Sequence, residues 1–581
     1  METVESVAAP QGTDESIFAD GMESPPPEPV LPPFAVRVLT KCAYGPRPGD
    51  VAAFNALGAS DDARLDAWLN QQLSPDALPD SACTSRINAA NYASINKPLA
   101  QLWADYVLGP QGDDYQRYWP CAEAACLKLV RAVYSERQLY EVMVDFWHNH
   151  FNVQGWEYGI APVFMHYDRD VMRGIQASSG KRAALGNFRA LLEEVAKAPA
   201  MLMFLNNKSS RGAEYNENFA RELCELHTLG AAHYYATVDP NEVPRDANNV
   251  PMGYCDNDVY EAARSLTGWT MRDDHWEFPD FPEYNTGEFL YFKPWHDKAG
   301  KYFLGYYLIA NRPDMVDGRM IFDRLCMHMG TARNICRKLC RRFIGDEPPE
   351  SLVESAAAIW QAQWQAPDQI TQVLRHILRS TELKTTWGEK TKRPWEAIMQ
   401  AFRASAAEIT PRPRSADWNV YDELTGRLSD TGNGPFRWPT PDGYPDTSRK
   451  WQAVSPLSQT WRTLSRLVEM RLPDSDENNP QAYFQRIEQV TRASFPSAAP
   501  STTAGAVVDF WIARIFGYAI EPSRRDEVVR FLGQRADASA NAVVLTWDNE
   551  WETSDLSRHY TLVRLRSAVA LLMMCPEFYQ R

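Results

Sequence analysis

The sequence predicts a mainly α-helical protein, many helices in two packed lobes with one small β-hairpin. At 581 residues it exceeds the roughly 250–300 at which a single hydrophobic core usually stops growing. Apolar residues recur at helical spacing through most of the chain, while short strand-like runs concentrate in one stretch, residues 286–307. A hydrophobic share of 44% with 19 Trp, 25 Tyr and 24 Phe supplies a large core and excludes wholesale disorder.

Residues 1–33, METVESVAAPQGTDESIFADGMESPPPEPVLPP, read as a disordered, acidic, Pro-rich leader. It has neither the basic start nor the apolar centre of a secretory signal, so a reducing cytoplasm is expected. Order begins at Phe34, opening an N-terminal helical lobe over 34–345 that carries the candidate site; a C-terminal helical lobe covers 346–581. In residues 187–197, Phe188, Leu191, Leu192 and Val195 form one apolar stripe, with Asn187 as cap and Pro199 as stop. Aromatic runs at 289–292 and 301–306 flank HDKAG, which predicts a hairpin with His296 and Asp297 at its tip. Residues 406–418, 473–481 and 494–505 are rich in Pro, Ser, Asn and Asp and read as surface loops.

A formal charge of −15 opposes binding to nucleic acid or to anionic membranes. Near the C-terminus the longest apolar run covers 568–575, far short of the about 20 residues a membrane span needs. The 10 Cys form no CxxC or CxxCH, so zinc-ribbon, thioredoxin-like and c-type haem attachment fail, and Cys336 and Cys340 read as reduced core thiols. Phosphate loop, dinucleotide fingerprint, HExxH and nucleophile elbow are all missing.

Chemistry concentrates in four segments. In VMVDFWHNHFNV a continuing helix would point His148 and His150 about 200° apart, so they could share a metal only through a local turn. In LNNKSSRGAEYNENFARELCELHTLG, Asn216 can cap a helix that stops at Gly230. Glu217, Asn218, Arg221, Glu222 and Glu225 share an arc of about 140° at 100° per residue, with His227 at the edge of the apolar side. That arc is either a solvated face laced by i, i+4 pairs or a buried site in which Arg221 offsets the charge of Glu222 and Glu225. A buried carboxylate must be paired, hydrogen-bonded or metal-bound, so burial decides. In FKPWHDKAGKYFLG, His296 beside Asp297 is a ligand-and-orienter pair or an ordinary turn. In NDVYEAARSLTGWT, Asp258 as cap with Glu261 three residues on needs only a capping role.

These segments, with RVLTKCAYGPRPGDVAAFNALG, LGNFRALLEEVAKAPAMLMFLNN, TARNICRKLCRRF, KRPWEAIMQAF, GPFRWPTPDGYPD and LRSAVALLMMCPEFYQR, resemble the bacterial domain-of-unknown-function 1800 family over residues 34–581. The family supplies no activity to carry over. Its His, Asn, Arg and Glu blocks recur together, which implies a buried polar site of His148, His150, Asn218, Arg221, Glu222, Glu225 and His296. The chain departs from it at Leu205-Asn206-Asn207, where the family often has Leu-Asp-Asn, and at His227, where an aromatic is common. Many members carry export signals.

The expected function is a metal-dependent enzyme, an oxidoreductase slightly ahead of a hydrolase, acting on a small molecule or polymer. His148, His150, Glu222 and His296 would bind divalent Fe, Mn or Zn, with haem as a variant. Arg221, Glu225 and Asn218 would serve catalysis, and Trp147, Phe151 and Trp269 would wall a dry pocket. The alternative is a scaffold or partner protein in which an Arg-Glu-His network fixes the helices. A carbohydrate-binding role draws only on the abundance of Trp and Tyr.

Overall fold

In a computed structural model the described residues are 31–109, 114–411, 420–471, 483–548, 554 and 558–581. Residues 1–30 of the expected leader, the 473–481 loop and residues 412–418 lie outside them. Among the described residues there are 26 α-helices and two small antiparallel two-stranded sheets, so the chain is mainly helical.

Helix starts follow local chemistry. The Ser60 hydroxyl accepts from the Ala63 amide at 3.3 Å to open Asp61–Gln72. Asn187 Oδ1 accepts from the Ala190 amide at 3.0 Å to open Phe188–Lys197, whose Phe188, Leu191, Leu192 and Val195 are buried as their spacing requires. The first helix of the described residues, Phe34–Lys41, is wholly buried.

Asp256–Ser265 begins a turn earlier than the sequence suggested. Cys255 is its N-cap, and Asp258, three residues in, accepts from the Cys255 amide at 3.0 Å and from the Leu304 amide at 2.8 Å. Glu261 instead pairs with Arg264 at 2.6 Å.

The expected hairpin exists as two different ones. Asn285–Tyr291 pairs with the upstream strand Trp269–Asp273, and Lys301–Phe303 pairs with Tyr306–Leu308. The short turn sits at Leu304 and Gly305, both at positive φ (44° and 73°), the two-residue geometry that matches strand twist. HDKAG therefore connects two sheets and is no hairpin tip.

Residues Pro32–Arg581 form one compact unit. Segments on either side of residue 345 interlock within it. Lys41 Nζ donates to the Thr386 carbonyl at 2.8 Å, and Arg403, 2% exposed, donates to the carbonyls of Gly45 and Val133 at 2.8 and 2.9 Å. Trp147, Trp269, Trp360, Trp395 and Trp511 are among the largest fully buried side chains. No helix of the described residues is long and apolar enough to cross a membrane, and all ten cysteines are free and buried.

Candidate functional site

Helix Gln138–His150 continues through both histidines, so they point apart. His148 Nε2 lies 2.9 Å from Asp168 Oδ1, on a π-helical turn, Tyr167–Met172. The same carboxylate accepts from Arg173 Nε at 3.0 and 3.1 Å and pairs with Arg131 at 3.4 Å, while Arg173 pairs with Glu141 at 2.8 Å. One turn earlier, Asp145 pairs with Lys128 at 2.6 Å and with Arg393. Burial alone would raise Asp168, but Arg173, His148 and Arg131 outweigh it and hold the carboxyl well below the usual carboxylate range. Lys128 and Arg393 do the same for Asp145. The gap between Tyr44, Lys128, Glu141, Asp145, His148 and Arg173 has no room for even a water molecule, and so none for a substrate.

His150 faces the other way. Its Nε2 donates to the His227 carbonyl at 3.1 Å, which leaves Nδ1 to accept from Lys338 Nζ at 3.2 Å. Burial, then Lys338 and His227, keep this imidazole neutral, well below its ordinary pKa. His227, fully buried against Phe151, has no partner on either ring nitrogen among the described residues, and burial pulls it down to about 3. An aromatic residue would fill the same place.

The helix expected from Asn216 to Gly230 is split. Asn218–Glu222 is α-helical, Leu223–His227 is a π-helical turn, and Gly230 ends the run at φ 92°. Asn216 Oδ1 accepts from the Asn218 amide at 2.9 Å, and Asn218 is exposed. The π turn rotates everything after Glu222 away from the 100° spacing that grouped Arg221 with Glu225. Arg221, 34% exposed, pairs with Asp256 at 3.3 Å and Glu217 at 3.5 Å.

A third stretch closes on both. Asn149 Nδ2 donates to the Tyr444 carbonyl at 2.9 Å, and its Oδ1 accepts from the Tyr444 amide at 2.7 Å. Asn152 Nδ2 donates to the carbonyls of Trp438 and Thr440 at 3.0 and 2.7 Å. Gly443 (φ 74°) lies so near the Asn149 carbonyl that a Cβ would meet its oxygen at 2.1 Å. The clamped loop presents Asp442, whose Oδ1 accepts from Trp438 Nε1 at 2.9 Å and the Thr440 hydroxyl at 2.5 Å.

Asp442 acts on two groups of the site. Burial, then Glu225 and Asp442, push half-buried Glu222 up to about 7. Lys338, on Met329–Phe343, is pulled down to about 8 by burial and then Arg341, against Asp446 and Asp442. The arrangement is a carboxyl and an amine that both exchange protons near neutrality, with exposed Asp442 beside solvent.

The expected metal ligands do not meet. His148 turns to Asp168 and His150 to His227 and Lys338; His296 lies 2.9 Å from the Thr267 carbonyl and 3.2 Å from Asp317, itself paired with Lys301 at 2.7 Å. Among the described residues no group of three or more His, Cys, Asp or Glu side chains is placed to hold a metal ion. The expected pocket walls are core packing: Trp147 stacks on Phe151 and packs tilted against Phe188, and Trp269 packs on Phe289 and Phe322. Sequence reasoning missed Asn149, Asn152, Asp168, Lys338 and Asp442. Only the Pro-Asp-Gly turn around Asp442 carried a local signal.

Fold and site together define a mainly helical protein whose polar centre is assembled from four distant stretches around residues 150, 222, 338 and 442. The chain belongs to the family described as protein of unknown function (DUF1800), whose family model matches residues 37–580. No curated protein and no solved structure matches it.

Proposed function

We propose that this protein is an enzyme that transfers protons at Glu222, with Glu225 and Asp442 tuning it and Arg221 at hand for an anionic group of the substrate. The observation that carries this reading is a half-buried carboxyl pushed up to about 7 beside an exposed acid, the state in which one group serves as both acid and base near neutral pH. A hydrolytic reaction now ranks ahead of a redox one. The redox reading drew on imidazoles and carboxylates converging on a metal, and each imidazole has taken another partner. A divalent metal enters the proposal only as a question for measurement, since no three acids or imidazoles of the described residues are placed together to hold one.

Full-length protein purified without a His tag, screened against ester, phosphoester and glycoside panels with Glu222→Gln alongside, tests it. Activity lost in Glu222→Gln, with melting unchanged, supports the enzyme. Metal analysis and an absorbance scan of the same samples decide between bare protein, Fe, Mn, Zn and haem.

A second reading, a non-catalytic scaffold, is favoured by the ion network of Asp145, Asp168, Arg173 and Arg393, which is buried, paired charge to charge and without room for a ligand. A Glu222→Gln variant indistinguishable from the parent in every assay would leave the scaffold standing.

A further inference from the structure

A cleft of about 970 Å³ opens between the helices Asp61–Gln72, Glu350–Ala362 and Gln369–Leu378 and shares no lining residue with the Glu222 centre. Its volume lies in the range of small-ligand sites, roughly 300–1,000 Å³. Leu65 and Ile359 give it an apolar wall. Most of its charges answer one another. Arg379 takes both oxygens of Asp66 at 2.8 and 3.0 Å, and Lys384 pairs with Asp62 at 2.5 Å. Two charges are left over. The partly buried Arg375 guanidinium has no partner among the described residues, and no cation pairs with Asp368, which accepts from the Gln372 side-chain amide on one oxygen at 2.8 Å. Asp368 is the N-cap of Gln369–Leu378 and Arg375 stands seven positions on, so 100° per residue brings both to one face, about 10.5 Å apart along the axis. The Gln363 side-chain amide, also in the lining, has no partner among the described residues either. Charges held partly out of water without a counter-charge carry a desolvation cost that a ligand of opposite charge relieves.

We infer that this cleft binds a short peptide with free termini, about three residues long, its carboxylate on Arg375 and its ammonium on Asp368. The guanidinium fork matches a carboxylate in two parallel bonds, and Asp368 keeps an oxygen for the ammonium. An extended chain rises about 3.3 Å per residue, so three residues span the distance between the two groups. A single amino acid carries both charges on one carbon and reaches only one of them. Gln363 offers a donor and an acceptor to the peptide bonds in between, and Leu65 and Ile359 offer apolar contact to a side chain. A bare anion gains little here, because Asp62, Asp66 and Asp368 balance Arg375, Arg379 and Lys384 across the lining. The helix dipole opposes an ammonium at the N-cap, but it is weaker than the two charge-assisted contacts. The inference is independent of the proton-transfer reading of Glu222.

The test is a ligand-observed NMR titration of the full chain with trialanine, beside N-acetyl-trialanine, which lacks the ammonium, trialanine amide, which lacks the carboxylate, alanine and acetate. Trialanine is expected to bind at least about tenfold more tightly than each of the others. Arg375→Gln should bring trialanine down to the affinity of its amide and leave the amide unchanged; Asp368→Asn should do the same toward the acetylated form. Neither side chain bonds to another helix, so melting of both variants should match the parent, and the comparison of ligands on the unmodified protein stands even if it does not. No saturable binding of trialanine up to about 10 mM overturns the inference. So does acetate or acetylated trialanine binding as tightly as trialanine, which would reduce the cleft to an anion site, or alanine doing so, which would remove the span. A tenfold preference for trialanine that both variants leave intact places the peptide elsewhere and overturns this site.

Discussion

Asn149 and Tyr444 hold each other by a reciprocal amide pair, side chain to backbone, at 2.9 and 2.7 Å. The middle residue of the His-Asn-His run is thus a clamp on the loop that carries Asp442. Removing it in Asn149→Ala strands the Tyr444 amide and carbonyl and should cost roughly 1–3 kcal/mol, read as a lower urea midpoint. Cleavage by a nonspecific protease should rise within residues 438–444.

Gly443→Ala should be far worse than Gly432→Ala. Both glycines have positive φ, 74° and 75°, but a Cβ at 432 meets nothing within 4 Å, whereas at 443 it meets a backbone oxygen at 2.1 Å. Strain alone predicts about 1 kcal/mol at 432. At 443 the loop must also leave its seat, so thermal melting should show a clearly larger drop there.

Asp168 holds His148, Arg173 and Arg131 together, so Asp168→Ala leaves Arg173 with Glu141 alone and takes the carboxylate from Arg131 and His148, which should cost about 3 kcal/mol. Its folded pKa lies below the unfolded value, as does that of Asp145. Their contribution is therefore full above the ordinary carboxylate range and is lost as pH falls through that range and below it. Chemical denaturation between pH 6 and 3 should show stability falling, and less steeply in Asp168→Asn.

Glu222 has the opposite sign. Its folded pKa is raised from 4.5 to about 7, so between these values the native state binds more protons than the unfolded chain. Its part of the stability is full below about 4.5 and lost as pH rises to 7. Half-exposure screens the effect to the order of 1 kcal/mol, and Glu222→Gln should flatten the slope. Carboxyl-carbon NMR should find a titration near 7 that moves toward 4.5 in Asp442→Asn and Glu225→Gln.

Local signals were readable in the chain. Asn187 caps the helix its apolar stripe outlines, and continuous helix through residues 138–150 sets His148 and His150 apart as 100° per residue requires. What escaped depends on partners far away in sequence. The run at 289–292 looks the same whether its strand pairs forward or back, and it pairs back with Trp269–Asp273. A π turn has no residue signature, so the arc grouping Arg221 with Glu225 was drawn on the wrong pitch. Lys338 and Asp442 owe their character to neighbours about 110 and 220 residues distant and to burial, neither of which spacing reveals.

The bond from Lys41 to Thr386 spans 345 positions. A nascent chain that has emerged only as far as the Met329–Phe343 helix still lacks the helical segments around Thr386 and Arg403, so part of the surface that buries Phe34–Lys41 is missing until they arrive. Folding must therefore wait on late synthesis, and its rate should follow the slow closure of long loops more than the fast coiling of individual helices.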